Sequence, residues 1–248
     1  MKRQQLIVGL CGLLAVAAAV AAPKNPYILL ANGKQMAVKS MKVYNGTGIE
    51  FVDANDRTIR WNADQFKAAY VPEPDQVAAL EKLLEAKEYD KVIQFAGQTF
   101  SQYSILGWGD KIAYLEGTAY LEKKEPEKAA AAFAKGLPFP GSYRDNLARG
   151  RVLAMIAQGK VEEVRNDLDS MVRSSRKADA AMAFNARGQI LANEWKSKEA
   201  VLEYLKTLLL FEADAKDVEP YRDEARKQVV ALMRKMGDPK WRMFVDVE

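Results

Sequence analysis

Gly117-Thr118-Ala119-Tyr120, followed by Glu125-Pro126 and then by Ala129, Phe133 and Leu137, is the stretch on which the reading of this chain turns. Its small and apolar residues recur three and four places apart, the period of a helix, on either side of a proline that restarts the chain. The same phrase returns with Gly188, Ala200 and Tyr204. Two fainter copies are carried by the turns into a second helix, Lys87-Glu88-Tyr89-Asp90-Lys91-Val92 and Gly159-Lys160-Val161-Glu162-Glu163-Val164. Turn to turn, the offsets are about 35, 37 and 36 residues, the spacing of a repeated helical hairpin. A last helix is expected from about Tyr221 to Met236, ended by Gly237-Asp238-Pro239, with Trp241 and Phe244 packing back on it. Phe211–Pro220, rich in Asp and Glu, reads as a longer insertion.

These residues resemble the tetratricopeptide repeat (TPR), a unit of about 34 residues. Gly117 and Tyr120 fall where that family wants a small residue and an aromatic in helix A, and Ala129 and Phe133 where it wants alanine and an aromatic in helix B. Gly188, Ala200 and Tyr204 form the second match, while Val92 and Val164 replace the alanine in the fainter copies. The spacing has a packing reason: small residues sit where helices A and B cross, and large ones fill the gap beyond. The resemblance covers residues 75–244 and implies a mainly α fold, a solenoid of about four helical hairpins with a C-terminal capping helix.

It also implies a concave groove lined by the A helices. Carried over residue by residue, that groove presents Lys111, Tyr114 and Thr118, then Asn146 and Arg149, then Asn185 and Gln189 with Asn193 beyond, and finally Lys227 and Arg234. Asparagine and glutamine can bond both N–H and C=O of an extended segment, and the cations suit acidic side chains or a terminal carboxylate. The set loosely resembles the carboxylate-clamp TPRs, but its positions do not match that clamp and the clamp activity is not transferred.

Before Pro74 the period is two. Asn32-Gly33 and Asn45-Gly46 are turn signals between apolar alternations, and strands are expected near 27–31, 34–44, 48–53 and 57–61. The long second strand changes apolar phase between Val38 and Met41, around Ser40, which predicts a bulge or bend. Asn62 is placed to cap a short segment containing Phe66. Leu29-Leu30-Ala31-Asn32-Gly33-Lys34, Gly48-Ile49-Glu50-Phe51 and Trp61 before Asp64-Gln65 look like the small SH3-like barrels that precede helical repeats in some secreted bacterial proteins. So few residues rarely sustain a core alone, and the module is expected to dock on the helices.

The chain opens with Lys2-Arg3 and an uncharged run from Leu6 to Ala22, the order of a secretory signal, with Ala19-Val20-Ala21 as a small-x-small cleavage site; the competing reading is an uncleaved anchor, for which a core of about 17 residues is short. Leu10 precedes Cys11, and the cysteine lies too early for a lipoprotein signal. The division is therefore a signal peptide over 1–21, a small SH3-like β module over 24–73 and a TPR-like domain over 75–248, exported to the periplasm or envelope of a bacterium, with no integral span after cleavage. The mature chain would carry no cysteine and need no oxidative folding.

Composition narrows the chemistry. In 248 residues there is no histidine and one cysteine, Cys11, so imidazole- or thiolate-dependent zinc sites and triads have no donors. The net charge is +4, and Lys2 and Arg3 supply two of those charges, which argues against nucleic acid as partner. Gly46-Thr47-Gly48 lies in a hairpin and reads as a turn, not a phosphate loop. The acids from Glu122 to Glu127, and Asp167 with Asp169, sit among cations and read as solvated faces. Trp61, Trp108 and Trp195 read as packing residues, and Trp241 least so. No catalytic residue, metal or cofactor is assigned. The expectation is a non-enzymatic interaction scaffold of the cell envelope that holds another envelope protein or an acidic peptide in the concave groove, its oligomeric state open. The alternative is a small-molecule or glycan-binding module using the β barrel and its junction with the helices.

Overall fold

The computed structural model describes residues 24–212 and 216–245; the expected signal segment lies outside them. The described residues are mainly helical, with two small antiparallel three-stranded sheets toward the N-terminus. They form two compact units that part within a helix, between Arg151 and Val152. The change of period at Pro74 therefore marks where strands give way to helices and is not the edge of a compact unit.

In the first unit, β1 (Tyr27–Leu29) pairs with β2 (Gln35–Ala37), and β3 (Ser40–Tyr44), β4 (Gly48–Val52) and β5 (Thr58–Trp61) form a meander. The single strand expected over 34–44 is two strands in different sheets. The crossing falls at Val38 and Lys39, whose N–H groups donate to the carbonyls of Pro26 and Val52 at 3.2 and 2.8 Å. The phase change near Ser40 is the trace of that transfer between sheets. At the β3–β4 hairpin, Asn45 and Gly46 both take positive φ, 48° and 77°. A strand missing from the sequence reading, β6 (Ala68–Tyr70), pairs with the free side of β1. Three residues are too few to display an alternation. Ahead of it, the Asn62 N–H donates to Gln65 Oε1 at 2.8 Å across a 3₁₀ turn at Ala63–Gln65.

Ile28, Ile49, Phe51, Ala69 and Val71 form one buried cluster with Leu106, which follows the second helix of the chain. The Trp108 indole N–H donates to the Val71 carbonyl at 3.1 Å, and Trp61 meets Phe51 edge to face with ring centroids 5.0 Å apart. The strands thus share a core with helices, as their small number requires.

Helices α1 (Asp75–Glu85), α2 (Tyr89–Tyr103), α3 (Gly109–Glu122) and α4 (Pro126–Gly136) follow, then α5 (Arg144–Ala157), which carries the divide. The second unit holds α6 (Val161–Val172), α7 (Lys177–Asn193), α8 (Ser197–Leu209), α9 (Glu219–Lys235) and a 3₁₀ turn at Pro239–Phe244. One turn geometry recurs through both. Lys87, Lys124, Gly159, Trp195 and Gly237 all have φ between 60° and 79°. Each follows the cap of a first helix and closes the same pair of hydrogen bonds. For Lys124 these are its own N–H to the Leu121 carbonyl and the Glu125 N–H to the Tyr120 carbonyl, both 2.9 Å. This is the Schellman C-cap, with its left-handed residue at C′.

Measured from those turns, the interior is in register. Val92, Ala129, Val164 and Ala200, each five places after the left-handed residue, are completely buried. Valine thus takes the alanine's buried place. At the crossing position sizes trade: Leu80 is matched with Ala96, Gly117 with Phe133, Val152 with Leu168 and Gly188 with Tyr204, all buried. A Cβ on Gly117 would lie 2.6 Å from the Phe133 ring, and one on Gly188 would lie 2.8 Å from the Tyr204 ring. Gly150 also lies against the Phe133 ring, where a Cβ would come within 2.5 Å. In the second unit, Ala200, Val201, Tyr204, Ala225, Val229, Leu232 and Met233 form the buried cluster, with Trp241 and Phe244 packed against it. The Arg222 guanidinium donates to the Leu208 and Phe211 carbonyls at 2.7 and 2.5 Å, holding the end of α8.

Candidate functional site

In the first unit, α3 places Lys111, Tyr114 and Thr118 along one face, three and four residues apart. Lys111 is only 7% exposed, and its ammonium donates to Glu73 Oε1 and Glu81 Oε2, each at 2.7 Å. Burial pulls the ammonium's pKa down, but the two carboxylate partners outweigh it and hold the pKa above the usual lysine value. Lys111 is therefore a neutralised bridge from α3 to Glu81 on α1 and to Glu73 just ahead of it, not a cation open to an incoming acid. Beside it, buried Asp110 accepts from the Tyr143 and Lys111 backbone N–H groups at 2.9 and 2.8 Å, pinning the chain ahead of α5. Burial raises the Asp110 pKa against the pull of those N–H donors.

Tyr114 is buried, with its ring 5.2 Å from that of Tyr143 and 6.4 Å from that of Phe133. Burial raises its phenol, opposed by hydrogen bonding with Asn146 and Thr118. Thr118 is half-buried and donates to the Tyr114 carbonyl at 2.8 Å. On α5, buried Arg149 donates to the Oδ1 of buried Asn146 at 2.9 Å. The five positions expected in the front half of the groove are thus buried or half-buried and already hold hydrogen-bond partners within the protein.

In the second unit, Asn185 is buried too. Its Nδ2 donates to the Tyr221 carbonyl at 2.8 Å and its Oδ1 accepts from Thr207 Oγ1 at 2.8 Å, tying α7 to α8 and α9. Gln189 is half-buried, while Asn193, Lys227 and Arg234 are exposed. Arg234 lies over the Trp241 ring, 4.0 Å from its centroid. Of the set expected to meet a partner, the side chains that reach solvent most are therefore those of the second unit.

The remaining candidates fall as follows. Gly46-Thr47-Gly48 lies at the β3–β4 hairpin, where a Cβ on Gly48 would meet the Trp61 carbonyl at 2.5 Å, which accounts for that glycine. Among the acids, Glu125 pairs with Lys128 at 2.5 Å and Asp169 with Arg187. Among the described residues, no group of three or more His, Cys, Asp or Glu is gathered as metal ligands would be, and no helix is long and apolar enough to cross a membrane. Trp61 and Trp108 pack against the core of the first unit, but Trp195, read as a packing residue, is 81% exposed. The signal was its alignment with Lys87, Lys124 and Gly159 at the hairpin turns, a surface position in every copy. Comparison with family models, with curated proteins and with solved structures returned no match.

Proposed function

We propose that the protein is an exported, non-enzymatic scaffold of the bacterial cell envelope. Its helices are read as a TPR-like solenoid with a C-terminal cap, its two sheets as an SH3-like module, and its partner as another envelope protein or an acidic peptide held along the A helices. The observation that carries this reading is the recurrence, through successive hairpins, of one left-handed turn and one buried register, the organisation of interaction repeats. With Lys111 bound to Glu73 and Glu81, and Asn185 to Tyr221 and Thr207, the partner face centres on Gln189, Lys227 and Arg234.

Cross-linking in cells, followed by identification of the trapped protein, tests the proposal with Lys227→Glu combined with Gln189→Ala. A dominant envelope partner that is lost in this double variant, with helical circular dichroism and melting temperature kept, supports it. Undiminished capture by the folded variant moves the site elsewhere. Arg149→Glu is the wrong probe, since a buried reversal reads stability before it reads binding.

A further inference from the structure

Trp195 occupies a position where a tryptophan gains little burial from the fold. It is the left-handed C′ residue of the α7–α8 turn, at φ 65°, and 81% of it faces solvent. Lysine or glycine fills that place in the other turns. A bulky side chain is penalised in left-handed backbone, and an exposed one returns no burial to offset that. Strain retained for so little burial points to a use outside the fold.

The surroundings give the use a chemistry. The Lys235 ammonium lies over the Trp195 ring, 4.7 Å from its centroid, so the α7–α8 turn and the end of α9 adjoin. Next along the chain come Met236, 37% exposed, and Met243, 77% exposed, with Trp241 between the guanidinium groups of Arg234 and Arg242 at 4.0 and 4.9 Å from its centroid. The nearby acids Glu194 and Asp238 are already engaged, by the Lys196 ammonium at 2.7 Å and by the Lys240 backbone N–H at 2.9 Å. Cations and exposed apolar side chains therefore gather at this end of the unit, and among the described residues there the positive charge is in excess.

We infer that this tip of the second unit is a docking surface for an anionic phospholipid bilayer, with Trp195 and Met243 entering the interfacial zone and Lys235 and Arg242 meeting headgroup phosphates. Tryptophan, with an apolar body and a polar N–H, suits a boundary that is apolar on one side and wet on the other. The cations rest their charge against ring faces, so charge and apolar surface alternate within one patch, as in peripheral membrane anchors. An acidic peptide, the partner proposed for the A helices, offers carboxylates but no layer for exposed Trp and Met side chains. This surface shares only Arg234 with the partner face proposed above, and neither test alters that residue, so the two readings fail separately.

The test uses the full chain titrated with vesicles of phosphatidylethanolamine and phosphatidylglycerol, or of phosphatidylcholine alone. The readout is the emission difference between wild type and Trp195→Phe, which isolates Trp195 from the other tryptophans and from any lipid contact common to both chains. A blue shift of the Trp195 emission with the anionic vesicles, weakened about tenfold or more in Lys235→Glu/Arg242→Glu and by raised salt, is the expected result. Trp195→Gly, which removes the backbone strain, should keep or raise the melting temperature while reducing vesicle binding relative to wild type. The inference is overturned if the Trp195 emission does not respond to anionic vesicles, if Trp195→Gly binds them as wild type does, or if the emission answers only to an acidic peptide.

Discussion

The α3–α4 and α7–α8 hairpins are built on the same interior. Gly117 faces Phe133 in one and Gly188 faces Tyr204 in the other, with Ala129 and Ala200 fully buried beside them and the same pair of C-cap bonds closing each turn. They part company at the positions that the interior does not fix. At the turn, the first has Lys124 and the second has exposed Trp195, both left-handed. On the first helix, Lys111 is buried by bridging two carboxylates, while Asn185 is buried by binding a hydroxyl and a carbonyl. One helical frame can thus be held while the polar chemistry on it changes, because the frame depends on volume at the crossing and on backbone hydrogen bonds at the turn.

The shared crossing is where this comparison breaks most easily. Leucine in place of Gly188 must displace the Tyr204 ring and should cost about 1–3 kcal/mol. Gly117→Leu should reach the upper end of that range, because Gly150 also lies close against the Phe133 ring and limits its room to move. Thermal melts of the two variants order the effects, and equal melting with wild type would mean that the register is wrong. The differing polar positions come next. Asn185→Ala strips two hydrogen bonds, and Thr207 keeps only the Ala181 carbonyl at 3.3 Å, so a loss of about 1–2 kcal/mol is expected. Lys111→Met removes a bridge whose carboxylates still reach water, at 34% and 39% exposure, and should cost only about 1 kcal/mol by denaturant titration.

pH separates the Lys111 bridge from its neighbours. Its pKa is raised in the folded state, so the unfolded lysine loses its proton first once pH passes the ordinary value of 10.5. That contribution is complete below this pH and is lost as pH climbs through the raised value. Burial raises the Tyr114 and Tyr143 phenols as well, so their contribution also falls as pH rises beyond 10.0. Melting temperature should therefore drop above about pH 10, with a shallower drop in Lys111→Met, where the contribution of this lysine is gone and that of the tyrosines remains. The smallest effects belong to the turns. Glycine at Lys124 or Trp195 relieves the same left-handed backbone at the cost of a more flexible unfolded chain, and each substitution should stabilise by at most about 1 kcal/mol. Destabilisation by Trp195→Gly alone, seen in parallel melts, would show that the exposed indole supports the fold after all.

Much of the frame was legible before any coordinates. Helical period, hairpin spacing and the glycine–aromatic pairing all lie along the chain, because a helix puts residues three and four apart on one face and a crossing demands a small residue opposite a large one. The turn signals Asn32-Gly33 and Asn45-Gly46 declared the hairpins for the same local reason. The passage between sheets at Val38 and Lys39 left only a change of phase, and β6 left nothing, since a three-residue strand is defined by its partner, here β1. Among the groove positions, the sequence supplied the residue types but not their fate. Lys111 reads as a free cation until Glu73 and Glu81 are brought to its ammonium, and Trp195 reads as core until the turn places it outside. The sequence alone determined which faces are apolar and where helices must stop, because those depend on neighbours in the chain. Only the tertiary structure decided which charges are spent and which side chains meet solvent, because burial and pairing depend on groups brought together from distant parts of the chain.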